Sequence, residues 1–205
     1  GCFIAGDLAS DGGAATIVNE LTHREQRLDV LVNNAGMEHI MPLGTSAFDI
    51  KTFDKMWQVN VRSAIELLHQ LVPLLKASGR ASVINITSIH DTMPYPQNTP
   101  YSMTKAALAM LSKGAAVELA PLGIRVNNLA PGAVETDINR AVIEQIGRDQ
   151  FAEWIPSGRV AQVAEMIGPA LFLASAASSY VTGTTLYADG GYLQHLVRYR
   201  PARDH

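Results

Sequence analysis

The feature that most constrains this chain is an alternation. Short runs rich in β-branched residues recur at residues 30–33, 82–87, 124–129 and 184–188, each four to six residues long, with residues 2–5 as a candidate fifth. They are apolar on both faces, as strands of a parallel sheet must be when helices cover both sides. Between them the apolar spacing predicts helices over 13–27, 49–76, 100–120 and 162–174. In the second of these, Phe53, Trp57, Val61, Ile65, Leu68 and Val72 recur every three or four positions. Pro100 suits the first turn of the third. Repeated β-α order predicts an α/β fold: a Rossmann-like, doubly wound parallel sheet with helices on both faces. No repeat, low-complexity stretch or linker interrupts it, so residues 1–205 read as a single domain.

One part of that pattern is expected to be missing from this chain. A nucleotide-binding α/β domain opens with a strand, a Gly-rich turn and a helix. Here residue 1 falls inside a candidate strand, Gly6 stands directly before Asp7, and Gly12 and Gly13 sit at a helix start. The expectation is that the first β-α-β part is absent, roughly two strands and two helices or on the order of 50 residues. With it would go the pyrophosphate cradle and the residue that selects NAD or NADP.

Composition narrows the function classes. Apolar residues make up 47% and charged residues 17%, with a formal net charge of −3. A slightly acidic balance offers nothing to a nucleic acid backbone or an anionic membrane surface. Arg198, Arg200 and Arg203 form the one basic cluster and read as a solvated tail or subunit contact. The single cysteine, Cys2, rules out an internal disulfide and fits a reducing, cytoplasmic setting. No apolar run is long enough for a membrane span, and no metal-ligand cluster is visible.

Chemistry concentrates in a few places. Tyr101 and Lys105 are four apart on a predicted helix, so phenol and ammonium share a face. A nearby cation stabilises phenolate, and a tyrosine so tuned can act as general acid or base on an alcohol or carbonyl. Ser88 follows the second strand, thirteen residues before Tyr101. At the carboxyl end of a parallel strand its hydroxyl would face the ligand crevice, although a turn cap is the plainer reading. Asn33, Asn34, Ala35 and Gly36 end the first strand in a tight turn. Asn60 lies between two valines in a helix and, if buried, needs either a local carbonyl or an ordered water. Pro131, Gly132, Ala133, Val134, Glu135 and Thr136 form a sharp loop after the third strand, with Thr136 placed to bond a ligand amide.

Each signal alone is weak. In this order, the set resembles the short-chain dehydrogenase/reductase family from Asp7 to about Tyr192, including Gly123 to Asn127, Tyr180 to Gly183 and Asp189-Gly190-Gly191. The resemblance implies an NAD(P)-dependent oxidoreductase in which hydride passes between the substrate carbon and nicotinamide. It implies Tyr101 as the acid/base, with Lys105 lowering the phenol's pKa and holding the cofactor ribose. Ser88 would position the substrate oxygen, and Asn60 would hold a water in a proton relay reaching Lys105. Asp7 and Leu8 would meet the adenine, and Asn34, Ala35 and Gly36 its ribose side. Pro131, Gly132, Val134 and Thr136 would line the nicotinamide side. Ala161 departs from the family, which often has glycine there.

The loop at 90–99 is polar and proline-rich and resembles that of glucose 1-dehydrogenases. His90, Glu135, Asp137 and Asn139 could then face a polyhydroxylated substrate, under a lid over residues 137–155. A sugar or polyol is the expected substrate class. A 3-ketoacyl reductase and a non-catalytic binding protein on the same fold are the alternatives. The resemblance also implies a homotetramer, with Leu67, Leu71, Leu108 and Leu111 on outer helix faces and residues 192–200 against another subunit.

Overall fold

The computed structural model describes residues 1–136, 140, 143–144 and 146–195. The expected substrate contacts Asp137 and Asn139, the lid residues Ile138 and Val142, and the C-terminal arginines lie outside the described residues.

Four parallel strands form one sheet: β1 (Val30–Asn33), β2 (Ser82–Ile86), β3 (Arg125–Pro131) and β4 (Thr185–Ala188), in that spatial order. Val30 pairs with Ser82, Ser82 with Arg125, and Asn128 with Thr185. β3 runs two residues further than the sequence suggests, because Gly132 N–H continues the ladder to Ala188 at 3.1 Å. Residues 2–5 are not a strand. A strand needs a hydrogen-bonded neighbour, and no described strand lies beside this largely exposed segment.

The helices cover both faces, as expected. On one, α1 (Gly13–Arg24), α3 (Ser63–Ser78) and α4 (Thr99–Leu119) meet the sheet. Their shared core includes Val18, Leu68, Leu71, Leu75, Ala116, Val83 and Val126. On the other, α6 (Ile167–Ala174) packs Leu173 against Ile84 and Leu129. A short α5 (Arg148–Ala152) precedes it. The alternation of Val83 with Ile84 across the two cores is the period-two rule of a strand buried on both sides.

The long helix expected over 49–76 is one rod with an irregular middle. α2 (Ile50–Trp57), capped by the Asp49 carboxylate at Thr52 N–H (2.9 Å), passes through a π turn (Gln58–Arg62) into α3. Such turns commonly mark functional positions. Asn60 sits within this one, fully buried. α1 ends at Arg24 rather than 27 because Glu25 turns extended. Residues 163–166 form a tighter 3₁₀ turn before α6.

One expectation about surfaces reverses. Leu67, Leu71 and Leu108 are buried in the protein's own core rather than on outer faces. The large apolar residues that α4 does expose are Met103, Met110 and Val117, spaced by seven and therefore on one stripe.

Candidate active site

In a parallel sheet every strand delivers its carboxyl end to the same edge. Here that edge gathers Asn34 to Glu38 after β1, Thr87 to Asp91 after β2, and Gly132 to Thr136 after β3. Asn98 precedes α4 without a side-chain capping bond, Pro100 lies in the first turn, and the helix brings Tyr101 and Lys105 to the same place.

Lys105 is buried and its Nζ donates to the Ile86 carbonyl at 2.9 Å, lying 5.7 Å from the centre of the Tyr101 ring. Desolvation lowers its pKa to about 8, opposed by the Glu38 and Asp91 carboxylates. Ser88 is extended at the end of β2, its hydroxyl accepting from His90 N–H at 3.2 Å. That hydroxyl also interacts with the Tyr101 phenol and pulls its pKa down. Burial, followed by Glu38, pushes the phenol the other way and wins. The sequence had suggested that Lys105 would make Tyr101 the more acidic. In the structure the ammonium sits over the ring and bonds Ile86, and burial, followed by Glu38, raises the phenol's pKa against the pull of Ser88.

Asn60 finds the first of its expected partners, a local carbonyl. Its amide donates to the Met37 carbonyl and to Thr104 Oγ1, both at 2.9 Å, and accepts Met37 N–H at 2.8 Å. It therefore clamps the turn after Gly36 onto α4. A Cβ at Gly36 would lie 3.5 Å from Lys105 Nζ and 3.6 Å from Asn60 Oδ1, so the glycine borders the space between them.

A cleft of about 60 Å³ opens beside this turn, lined by Leu8, Val32, Asn33, Asn34, Ala35 and Asn60 among others. Leu8, Asn34 and Ala35 are thus brought together as expected. Asp7 adjoins them, exposed, with its carboxylate accepting Ala9 N–H at 2.9 Å. Pro131 closes β3, and Gly132 has no room for a side chain, since a Cβ would meet Asp189 at 2.8 Å. Val134 is buried and bridges to Ala161, which holds the Pro-Gly loop against the chain before α6. Thr136 is partly buried, and its carbonyl accepts Arg140 N–H at 3.0 Å.

His90 does reach the site. Its ring stacks on Tyr95 (centroids 4.4 Å apart) and meets Tyr101 edge-on at 6.4 Å. Nδ1 bonds the Met93 carbonyl at 3.1 Å, and burial lowers the ring's pKa. A neutral ring with its proton on Nδ1 leaves Nε2 as an acceptor. Glu135, by contrast, does not present a free carboxylate to a substrate. Arg148 binds it with both guanidinium nitrogens and Gln162 donates at 3.1 Å, holding its pKa near about 2. That arrangement makes it an anchor for the loop.

Sequence reading missed Glu38, Asn98 and Asp91. Glu38 is half-buried, accepts from Asn98 Nδ2 at 2.9 Å, and acts electrostatically on Tyr95, Tyr101 and Lys105. Asp91 accepts from Thr87, Thr92 and Tyr187, each at 3.0 Å, tying the Ser88 turn to β4. The available signal was a glutamate two residues beyond Gly36, where the chain leaves the sheet edge. Among the described residues no group of three or more His, Cys, Asp or Glu is arranged to hold a metal.

The family model described as enoyl-(acyl carrier protein) reductase matches residues 1–193. A crystal structure of a gluconate 5-dehydrogenase from Burkholderia cenocepacia, in complex with NADP and tartrate, superposes with a TM-score of 0.87. It is 36% identical, with 94% of this chain and 75% of that one covered. The chain belongs to the short-chain dehydrogenase/reductase family. Gluconate 5-dehydrogenase of Gluconobacter oxydans is 34% identical over 168 residues, 80% of this chain and 64% of that protein. The chain thus spans somewhat less than two thirds of that relative. A 2-(R)-hydroxypropyl-CoM dehydrogenase of Xanthobacter autotrophicus is 30% identical, covering 92% and 76%.

Proposed function

We propose that this protein is an NAD(P)-dependent oxidoreductase that interconverts an alcohol and a carbonyl, with a sugar or polyol as substrate. The observation that carries the reading is the meeting of the Tyr101 phenol, the Ser88 hydroxyl and the Lys105 ammonium at the carboxyl end of β2. Relatives that act on gluconate and on other secondary alcohols support the substrate class.

The residues present fit one side of a dinucleotide. Leu8, Asn34 and Ala35 line a cleft for the adenosine end, and the bare backbone at Gly36 leads from it to Lys105. Pro131, Gly132, Val134 and Thr136, at the carboxyl end of β3, are assigned to the nicotinamide side. The nicotinamide ring supplies the hydride donor or acceptor. The protein's own part is proton transfer and positioning. Ser88 Oγ donates to the substrate oxygen and holds it beside Tyr101. In carbonyl reduction, Tyr101 Oη–H gives its proton to that oxygen, for which a phenol held protonated by burial is ready. In alcohol oxidation the same phenol must first lose its proton, and the adjacent Lys105 charge stabilises phenolate. Asn60 positions Lys105's surroundings by locking the Gly36 turn to Thr104. His90 Nε2 is placed to accept from a substrate hydroxyl, leaving Glu135 to its loop.

In this reading residues 1–205 belong to a single domain, and the protein assembles as a homotetramer in the cytoplasm without nucleic acid. The exposed Met103, Met110 and Val117 stripe supports assembly. No helix among the described residues is long and apolar enough to cross a membrane. The 3-ketoacyl reductase alternative shares with the family description only an acyl substrate, since that description names reduction of an enoyl group. The test is alcohol-dependent reduction of NAD or NADP by the full-length protein across sugars, polyols and 3-hydroxyacyl thioesters. Turnover of sugars or polyols is expected. Turnover confined to the thioesters, or none with any alcohol, would overturn the reading.

A further inference from the structure

Ser88 stands at the start of a three-residue 3₁₀ turn, Ile89–Asp91, and takes its place from it. His90 N–H donates to Ser88 Oγ at 3.2 Å, so the turn aims the hydroxyl, and the O–H is left to donate to a substrate oxygen. The turn has few backbone bonds of its own. Asp91 N–H donates to the Ser88 carbonyl at 2.9 Å, and Thr92 and Met93 N–H reach the Ile89 carbonyl at 3.3 and 2.9 Å. So short a turn, with poorer hydrogen-bond geometry than an α-helix, holds its shape weakly unaided.

One carboxylate supplies the support. Asp91 Oδ2 accepts from Thr87 Oγ1 at 3.0 Å, and Oδ1 accepts from Thr92 Oγ1 and from the Tyr187 hydroxyl, each at 3.0 Å. Thr87 is a firm point of attachment: it is buried, and its N–H carries the β2–β3 ladder on to the Leu129 carbonyl at 2.9 Å. Tyr187 belongs to β4, where it stands in register beside Ala130 of β3. Its hydroxyl therefore reaches past the intervening strand β3 to the turn that follows β2. Asp91 thus grips the chain on both sides of Ser88 and fastens that grip to the last strand of the sheet. Its three side-chain donors are all hydroxyls. A neutral amide could replace the carboxylate, with its oxygen accepting from Thr92 and Tyr187 and its nitrogen donating to Thr87, since a hydroxyl both donates and accepts.

We propose that Asp91, anchored by Tyr187, is a positioning residue that fixes the Ser88 hydroxyl for reaction, through its hydrogen bonds rather than its charge. The inference rests on the oxidoreductase reading and adds a residue to that site. A reacting group misplaced by about 1 Å can cost on the order of 10²-fold in rate, so a loosened turn is felt in catalysis.

The test compares Asp91→Ala with Asp91→Asn in the full-length protein, since both remove the charge and only the amide keeps the bonds. Alcohol-dependent NAD(P) reduction is measured across the same panel of alcohols. Asp91→Ala is expected to lower kcat about tenfold or more with cofactor affinity unchanged, and Asp91→Asn to stay within about threefold of the unaltered protein. In a Ser88→Ala background Asp91→Ala is expected to cost less than about twofold further, because its effect passes through the hydroxyl already removed. A side chain that served stability alone would cost as much in that background as in the unaltered one. Hydrogen exchange reads the turn without turnover: Asp91→Ala is expected to speed exchange of the His90 and Asp91 amides about tenfold or more, and Asp91→Asn to leave it nearly unmoved. Should Asp91→Ala not fold, Tyr187→Phe deletes one hydroxyl and carries the same cycle, with a loss of about threefold that vanishes without Ser88. Asp91→Asn as damaging as Asp91→Ala, a loss undiminished in the Ser88→Ala background, or exchange unmoved by Asp91→Ala would overturn the assignment and leave the oxidoreductase reading standing. No cofactor reduction by the unaltered protein with any alcohol would sink that reading instead, and the exchange rates would still decide whether Asp91 holds the turn.

Discussion

Tyr101 and Lys105 are both displaced from their ordinary acidities by burial, in ways that favour their neutral forms. For Lys105 the folded value of about 8 lies below the ordinary 10.5. The unfolded chain therefore binds more protons between those values, and this group's contribution to stability rises with pH across that window. For Tyr101 the folded value lies above the ordinary 10.0, so its contribution falls as pH climbs past 10. The side-chain resonance of Lys105 should titrate with a midpoint near about 8. A midpoint at or above the ordinary lysine value would contradict its desolvation. The same logic sets the pH profile of catalysis. Oxidation needs phenolate, so its kcat/KM should climb steadily between neutrality and pH about 10, whereas carbonyl reduction should be nearly flat there. The i, i+4 pairing of these two residues was legible in sequence because helical geometry fixes it. The direction of Tyr101's shift was not, because it depends first on burial in the folded protein and then on Glu38, sixty-three positions away along the chain.

At the scale of elements, a row of polar side chains crosses the sheet on the α4 face. Asn33 donates to Asn85 (2.7 Å), Asn85 to Ser112 (2.7 Å), Ser112 to Asn128, and Asn128 to Thr185 (3.0 Å). Each strand residue in it is paired in register with the next. The donors all point the same way, so every buried member is satisfied and a slipped register would orphan several at once. Asn85→Ala strands both neighbours and is expected to cost about 1–3 kcal/mol, read as a lower urea midpoint. An unchanged midpoint would mean the row contributes nothing. The strands themselves were legible from their apolar runs. Asn33 read only as part of a turn, and Asn85 and Asn128 only as members of their strands, since nothing local says that three amides and a serine will align across four segments. The start of α1 makes a second case. A Cβ on Gly13 would fall 1.8 Å from the Asp7 carbonyl oxygen. Gly13→Ala is expected to displace Asp7 and Leu8 from the cleft and weaken cofactor affinity several-fold more than it lowers stability, checked by parallel binding and unfolding curves. The π turn at Asn60 was hidden for a similar reason: the sequence shows an unbroken helical period, and only the double bond to Met37 shows why the turn widens.

For the molecule as a whole, the sequence foretold a doubly wound sheet with a ligand edge, and the family relationship agrees with it. It misassigned the outer faces, because periodicity says which residues share a stripe but not which stripe meets the sheet. Leu67, Leu71 and Leu108 face inward, and Met103, Met110 and Val117 face out. If that outer stripe is an assembly surface, Met110→Asp with Val117→Asp should convert a tetramer to smaller species in light scattering, without lowering the unfolding midpoint of the isolated fold. A tetramer that survives both changes would place assembly elsewhere. The central claim is narrower and lies with one oxygen atom. Replacing Tyr101 by Phe removes only the phenolic oxygen and keeps the ring against His90 and Lys105. The decisive measurement is alcohol-dependent NAD(P) reduction by Tyr101→Phe, with cofactor affinity measured on the same preparation. The expected result is a loss of turnover of about 10²-fold or more with affinity unchanged. Turnover retained in the variant would contradict it.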